Sequence, residues 1–222
     1  GAVLGLLWLS TVPLTSGIDL DYSPGSHDER KISPNRVAGI FESYTDSGTS
    51  LYDYDVAFRQ VAPYIHAEAA PTDRLHLSAG LRADFLGYDY TNHLGIETTG
   101  RHRRPGDASP TFNAISPKFG ATLNIREGLD LFSSFRRGFR APSEGQLFRQ
   151  GSAINTVNLK PVKANSLEAG LRGSVGQRIR YELSGYHMSK TDDILAFRLP
   201  DGSMESVNAG ETLHKGIELG LG

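Results

Sequence analysis

"RLHLSAGLRADF", Arg74 to Phe85, decides the fold. Leu75, Leu77, Ala79, Leu81, Ala83 and Phe85 hold alternate positions, and Arg74, His76, Ser78, Gly80, Arg82 and Asp84 fill the gaps. Successive side chains of a β-strand point to opposite faces, so this run has one apolar and one polar side. The same period of two runs through "KFGATLNIR" (118–126), "SLEAGLRGSV" (166–175), "RIRYELSG" (178–185) and "KGIELGLG" (215–222).

The runs are long, roughly 10 to 18 residues, where strands of soluble proteins average about 5–6. Their connections alternate in length. Short turns fall at "PTDR" (71–74), "EGLD" (127–130) and "GQR" (176–178), and long loops at 25–52, 89–114, 139–165 and 196–208. The spacing predicts about eight strands, near 17–24, 53–70, 74–88, 115–127, 129–138, 166–175, 178–195 and 209–222. Short turns on one rim and long loops on the other are the pattern of an antiparallel transmembrane β-barrel. Hydrocarbon offers no hydrogen bonds, so a spanning strand must pair fully with its neighbours. A soluble sandwich or lipocalin-like barrel also alternates. Strand length and one-sided loops favour the membrane form, as do the small residues Ala79, Ala83, Ala121, Ala169 and Gly173, which would make a weak packed core. Tyr52, Tyr54, Phe85, Tyr88, Tyr90, Phe135, Phe139 and Phe197 are expected to form an interfacial aromatic girdle at the long-loop ends.

The bulk numbers exclude other classes. Lys and Arg total 23 against 25 Asp and Glu, a formal charge of -2, so no nucleic-acid partner is implied. The cluster Arg136, Arg137 and Arg140 is local. Without cysteine there is no disulfide, thiolate metal site or cysteine nucleophile. The apolar stretch Ala2–Leu14 is too short for a spanning helix. It has the length of a signal-peptide core but lacks preceding basic residues; with Gly1 at the start, it reads as internal to a longer protein, and residues 1–16 are left unassigned. No G-x-S-x-G, H-E-x-x-H or post-strand G-x-G-x-x-G is present. Asp192 and Asp193 would point to opposite faces of a strand. The chain is read as a non-enzyme that needs no cofactor and holds no metal.

"SPKFGATLNIREGLDLFSSFRRGFRAPSEGQLF" (116–148) resembles the barrel of TonB-dependent outer-membrane receptors. There a "GFRAP" segment precedes an "NLKPE"-like one; here they stand as Phe139, Arg140, Ala141 and Pro142, then Asn158, Leu159, Lys160 and Pro161, with Val162 in place of the usual Glu. "APYIHAEAAPTDRLHLSAGLRAD" and "DDIL…NAGETLHKGIELGLG" resemble two further strands of the family, in the family's order. The resemblance implies a Gram-negative outer-membrane protein: a 22-stranded barrel, filled by a plug domain and coupled to the TonB complex, that takes up a scarce small-molecule ligand. Residues 1–222 would then be part of such a barrel, without the plug. Arg74, Arg82, Lys118, Arg126, Glu168, Arg172, Arg180 and Glu182 would face the lumen, and the leucines would face outer-membrane lipid. Haem receptors of the family are expected to carry a histidine between the two motifs; none lies between Arg140 and Asn158. Ferric siderophores, other metal chelates, cobalamin or glycans remain, a ferric chelate foremost. His27, His93 and His102 have no metal-binding spacing, and Tyr52–Asp55 ("YDYD") reads as interfacial tyrosines rather than a ligand contact. Two rival classes stay open: a small pore-forming or structural barrel, and an outer-membrane hydrolase.

Overall fold

The structure, a computed structural model, describes residues 2–9, 12–176, 178–200, 202 and 204–222, the first of these segments as backbone only. Eleven strands run in chain order: β1 (Ala2–Leu9), β2 (Val12–Val37), β3 (Ile40–Thr72), β4 (Leu75–Asn92), β5 (Thr111–Arg126), β6 (Leu129–Arg140), β7 (Val162–Val175), β8 (Ile179–Thr191), β9 (Ile194–Arg198), β10 (Met204–Asn208) and β11 (Glu211–Leu221). A short helix α1 (Glu144–Phe148) and a 3-10 turn (Thr156–Asn158) interrupt the β6–β7 connection.

Nine strands make one antiparallel meander in the order β1-β2-β3-β4-β5-β6-β7-β8-β11, and β9 and β10 form a separate hairpin. The sheet is all-β and antiparallel throughout, as expected. The short turns at 71–74, 127–130 and 176–178 fall where the alternating runs break. Three features differ from expectation. Within the unassigned N-terminal stretch, β1 pairs with the start of β2. The segment 25–52 is a two-stranded ribbon, not a loop: β2 and β3 stay paired from Glu29–Tyr52 to Val37–Ile40. It turns at Ala38 (φ 52) and Gly39 (φ 81), a left-handed pair of the kind tight hairpins use. The long loop before β11 contains the β9–β10 hairpin.

The register sorts the side chains into two faces. On one, Leu75, Leu123, Leu131, Leu171, Leu183 and Leu219 are successive cross-strand partners, a single row of leucines across six strands. Phe119 and Phe135, also paired on this face, stack at 6.4 Å. Leu77, Leu81, Phe85, Leu131, Leu167 and Leu183 are all exposed, so among the described residues nothing covers the apolar side of the sheet at these positions. The other face carries Asp19, His66, Arg82, Asp84, Lys118, Arg136, Glu168, Arg172 and Glu182 by the same register. The buried core lies on this polar face, at the long-loop end.

Candidate functional site: the polar wall and the floor of its loops

Six of the eight expected lumen residues, Arg82, Lys118, Glu168, Arg172, Arg180 and Glu182, share the polar face. Arg74 sits in the β3–β4 turn, and Arg126 sits at the short-turn end of β5, past a register shift, opposite Leu129. Arg82 is the centre of one network. Its guanidinium donates to Asp19 across the sheet and to Asp84 at 2.8 Å, and Gln60 Nε2 donates to the same Asp84 oxygen at 3.0 Å. Asp84 is buried by these partners, which meets the requirement that a buried carboxylate be paired.

Lys118 faces Arg136 directly across the β5–β6 ladder. It lies over β4: a Cβ placed on Gly80 would stand 2.5 Å from Lys118 Cε, so a larger residue there would make the lysine side chain shift. Arg136 reaches Glu168 at 3.8 Å. Lower on the wall, Asn124, Asp130, Arg172 and Glu182 form a cross-strand row of alternating sign. Asn124 Nδ2 donates to Asp130 at 3.0 Å, and the Arg172 guanidinium lies 5.4 Å from the Phe132 ring centre. The wall is thus a mosaic of both charges.

Above it stands the aromatic floor. The aromatics expected at an outer girdle are divided differently. Tyr52, Tyr54 and Tyr90 are buried on the polar face, around Phe148 of α1; Tyr90 stacks on Phe148 at 4.1 Å, and Tyr54 and Tyr88 meet it edge-on. The reason is parity: Tyr88 and Tyr90 share the face of Arg82, not that of Phe85. Among the expected girdle residues, Phe85 remains exposed on the apolar face, and Phe139 packs partly against the buried cluster. "YDYD" is therefore neither interfacial nor open to a ligand at its tyrosines.

Local chemistry folds α1 back onto this face. Ser143 caps the helix: its hydroxyl accepts from Gln146 N while the Gln146 side chain accepts from Ser143 N, a reciprocal capping box. Tyr88 Oη donates to Pro142 O at 3.1 Å, Thr156 Oγ1 to Leu147 O at 2.6 Å, and Tyr54 Oη to the Glu144 carboxylate. Tyr54 lies well beyond the apolar band, and burial there, reinforced by Glu144, pushes its hydroxyl's pKa far up. The 93–110 loop closes against the same floor. Arg104 Nη1 donates to Leu51 O at 2.8 Å, Arg103 N to Gly151 O at 2.8 Å, and Gly151 N to Tyr52 Oη at 3.2 Å.

The motif residues lie at the seams of this floor. Pro142 is fully buried and Leu159 nearly so. Asn208 clamps Lys160: its Oδ1 accepts from Lys160 N at 2.8 Å, its Nδ2 donates to Lys160 O at 3.0 Å, and also to Asp192 O at 2.7 Å. Asn208, Asp19 and Glu144 were not singled out in the sequence. Asp19 shares the parity of the polar face, which is a usable signal. The other two depend on contacts distant in sequence, which leave none. Among the described residues no group of three His, Cys, Asp or Glu is arranged to hold a metal ion.

Residues 5–222 match the family model described as "TonB dependent receptor-like, beta-barrel". The curated relative named "Rhizobactin receptor", from Rhizobium meliloti (strain 1021), is 25% identical over 94% of this chain. The chain spans about a third of that relative's length, 32%. Among solved structures, the copper transporter OprC superposes with a TM-score of 0.74 at 21% identity, over 97% of this chain and 33% of its own. The ferric-catecholate import receptor Fiu from E. coli K12 gives 0.67 at 16% identity (97% and 33%), and the ferric citrate transporter FecA gives 0.68 at 16% (97% and 30%). These relatives are receptors and transporters rather than enzymes. With its leucine row bare, its opposite face charged and its motifs in order, the chain belongs to the β-barrel family of TonB-dependent receptors.

Proposed function

We propose that the chain forms part of the barrel wall of a Gram-negative outer-membrane receptor that takes up a ferric siderophore or similar metal chelate, driven through TonB. The observation that carries this reading is the match along 94% of the chain to a relative named "Rhizobactin receptor", beside structural neighbours named for ferric catecholate and ferric citrate import. The two faces support the membrane part. From Leu75 to Phe85 the strand runs roughly 34 Å at about 3.4 Å per residue. At a tilt of about 40° that gives an apolar band some 26 Å tall, close to the ~25 Å of such barrels. The polar face would line the lumen, with Arg82, Lys118, Glu168, Arg172, Arg180 and Glu182 along the wall and Arg74 and Arg126 at its short-turn rim. The plug domain and the TonB complex are the partners this reading requires of the whole protein.

The test is uptake by the complete receptor that carries this chain, expressed in a strain stripped of its own siderophore receptors. Iron-55 should enter as ferric hydroxamate, citrate or catecholate chelates, with one class preferred, and only where TonB is present. Uptake of copper alone, or passage without TonB, would refute the proposal.

A further inference from the structure

Gly151 lies just past α1 at φ 60, in the left-handed region that glycine reaches without steric cost. A left-handed glycine in a loop ordinarily marks a turn and no more. Gly39, Gly48, Gly100, Gly202 and Gly210 fit that description: a Cβ on any of them would meet nothing within 4 Å. A Cβ on Gly151 would instead stand 2.5 Å from the Met204 carbonyl oxygen. That oxygen belongs to backbone in the β9–β10 ladder, where Met204 pairs with Arg198, so it cannot swing aside as the tip of a side chain would.

Each side of this residue is taken by a different segment. Its N–H donates to Tyr52 Oη at 3.2 Å, at the base of the β2–β3 ribbon, and its carbonyl accepts from Arg103 N at 2.8 Å, in the 93–110 loop. The side where a Cβ would stand is closed by the β9–β10 hairpin, and its own segment runs from α1 to the 3-10 turn. The pieces have other anchors in the floor: Arg104 on Leu51 O, Phe148 among the tyrosines, and Asn208 on Lys160. Those anchors act locally, whereas Gly151 joins all the pieces at one residue. With only two soft dihedrals to a residue, a turn of this backbone breaks both hydrogen bonds and the fit against Met204 in one event.

We propose that Gly151 is a positioning residue that couples the 93–110 loop, the ribbon base, the α1 loop and the β9–β10 hairpin into one cooperative unit, so that release of any of them loosens the rest. Coupling of this kind is reciprocal: a disturbance that enters through Tyr52 must spread as far as one that enters through Gly151. The sheet ladders below do not pass through the joint, and their protection is independent of it.

The experiment is hydrogen exchange, read by mass spectrometry, on the complete receptor in nanodiscs. In the wild type the best-protected amides of the 93–107, 143–159 and β9–β10 peptides should open at one shared rate and with one urea slope. Gly151→Ala adds left-handed strain and the clash with Met204. It is expected to speed all three peptides about tenfold or more and to split them into separate values. Tyr52→Phe deletes one acceptor while the ring keeps its place, and it should speed all three by about two- to tenfold. The double variant should add little to Gly151→Ala, which has already drawn the N–H away from Tyr52. Amides in the middle of β5 and β6 should keep their wild-type rates. If Gly151→Ala fails to insert, as read by heat-modifiable mobility, Tyr52→Phe decides alone. Separate opening rates in the wild type, acceleration confined to the peptide that carries the substitution, equal acceleration in the sheet, or a double variant that reaches the full product would overturn the proposal. No cargo enters the measurement, so its outcome is independent of the uptake reading.

Discussion

Leu171 stands mid-row on the apolar face, between Leu131 and Leu183, and Arg172, its chain neighbour, points the other way. Leu171→Arg would put a guanidinium near the middle of the hydrocarbon, which costs about 2–4 kcal/mol, or a roughly 30- to 900-fold loss of folded, inserted protein at equilibrium. Arg172→Leu removes a 3.9 Å contact to Asp130 and the stacking over Phe132, together worth at most about 1 kcal/mol at a half-exposed site. Asp130 keeps its hydrogen bond from Asn124, so no carboxylate is stranded. The two variants can be compared in the complete receptor by folding into phospholipid vesicles across a urea series, with heat-modifiable mobility as the readout. The midpoint should fall steeply for Leu171→Arg and scarcely for Arg172→Leu. If the two midpoints moved by the same amount, the assignment of faces would be wrong.

Two further outcomes follow from the loop floor. Phe148→Ala empties the fully buried centre of the aromatic cluster, at a cost of about 3–5 kcal/mol. Hydrogen exchange across residues 143–159 should speed up by orders of magnitude while insertion of the barrel is unaffected; retained protection would mean that α1 is held by something other than Phe148. Asn208→Ala strips Lys160 and Asp192 of their clamp, a loss of about 1–3 kcal/mol visible as faster exchange at the Lys160 amide, and Asn208→Asp, which keeps the acceptor, should fall between.

What could be read in the sequence follows from where water stops. Within the apolar band one face must be hydrophobic and the other need not be, so strands β4 to β8 announce themselves by alternation, and the turns between them by its interruption. Above the band both faces are wet. The ribbon from Arg30 to Ser50 is therefore rich in Ser, Asp, Gly and Pro and looks like a loop, although its backbone is paired almost throughout. The rim tyrosines were legible in principle. Continuing the count from Arg82 to Tyr88 and Tyr90 keeps them on the polar side. The general preference of aromatics for interfaces points the other way, and local parity prevails. Tyr54 meeting Glu144, 90 residues on, and Asn208 meeting Lys160, 48 residues back, depend on how loops return to the sheet, and no periodicity encodes that.

The segments by which the sequence resembles its family now have a physical account that does not involve cargo. β6 ends at Arg140, and Phe139 leans on the edge of the buried cluster. Pro142 offers the ladder no N–H and its carbonyl is taken by Tyr88, so the chain leaves the sheet there, and the Ser143 cap starts a helix directed back inward. At the far end Leu159 is buried, Asn208 holds both backbone groups of Lys160, and Pro161 precedes the first residue of β7. The two motifs are the hinge and the clasp of one loop, and α1 is what they hold against the wall. Phe139, Ala141, Pro142 and Leu159 are taken up by burial, leaving Arg140, Asn158 and Lys160 exposed. Substitution at Pro142 or Leu159 should then change cargo handling through displacement of the floor, with exchange protection and uptake lost together. Substitution at Arg140 should leave that protection intact.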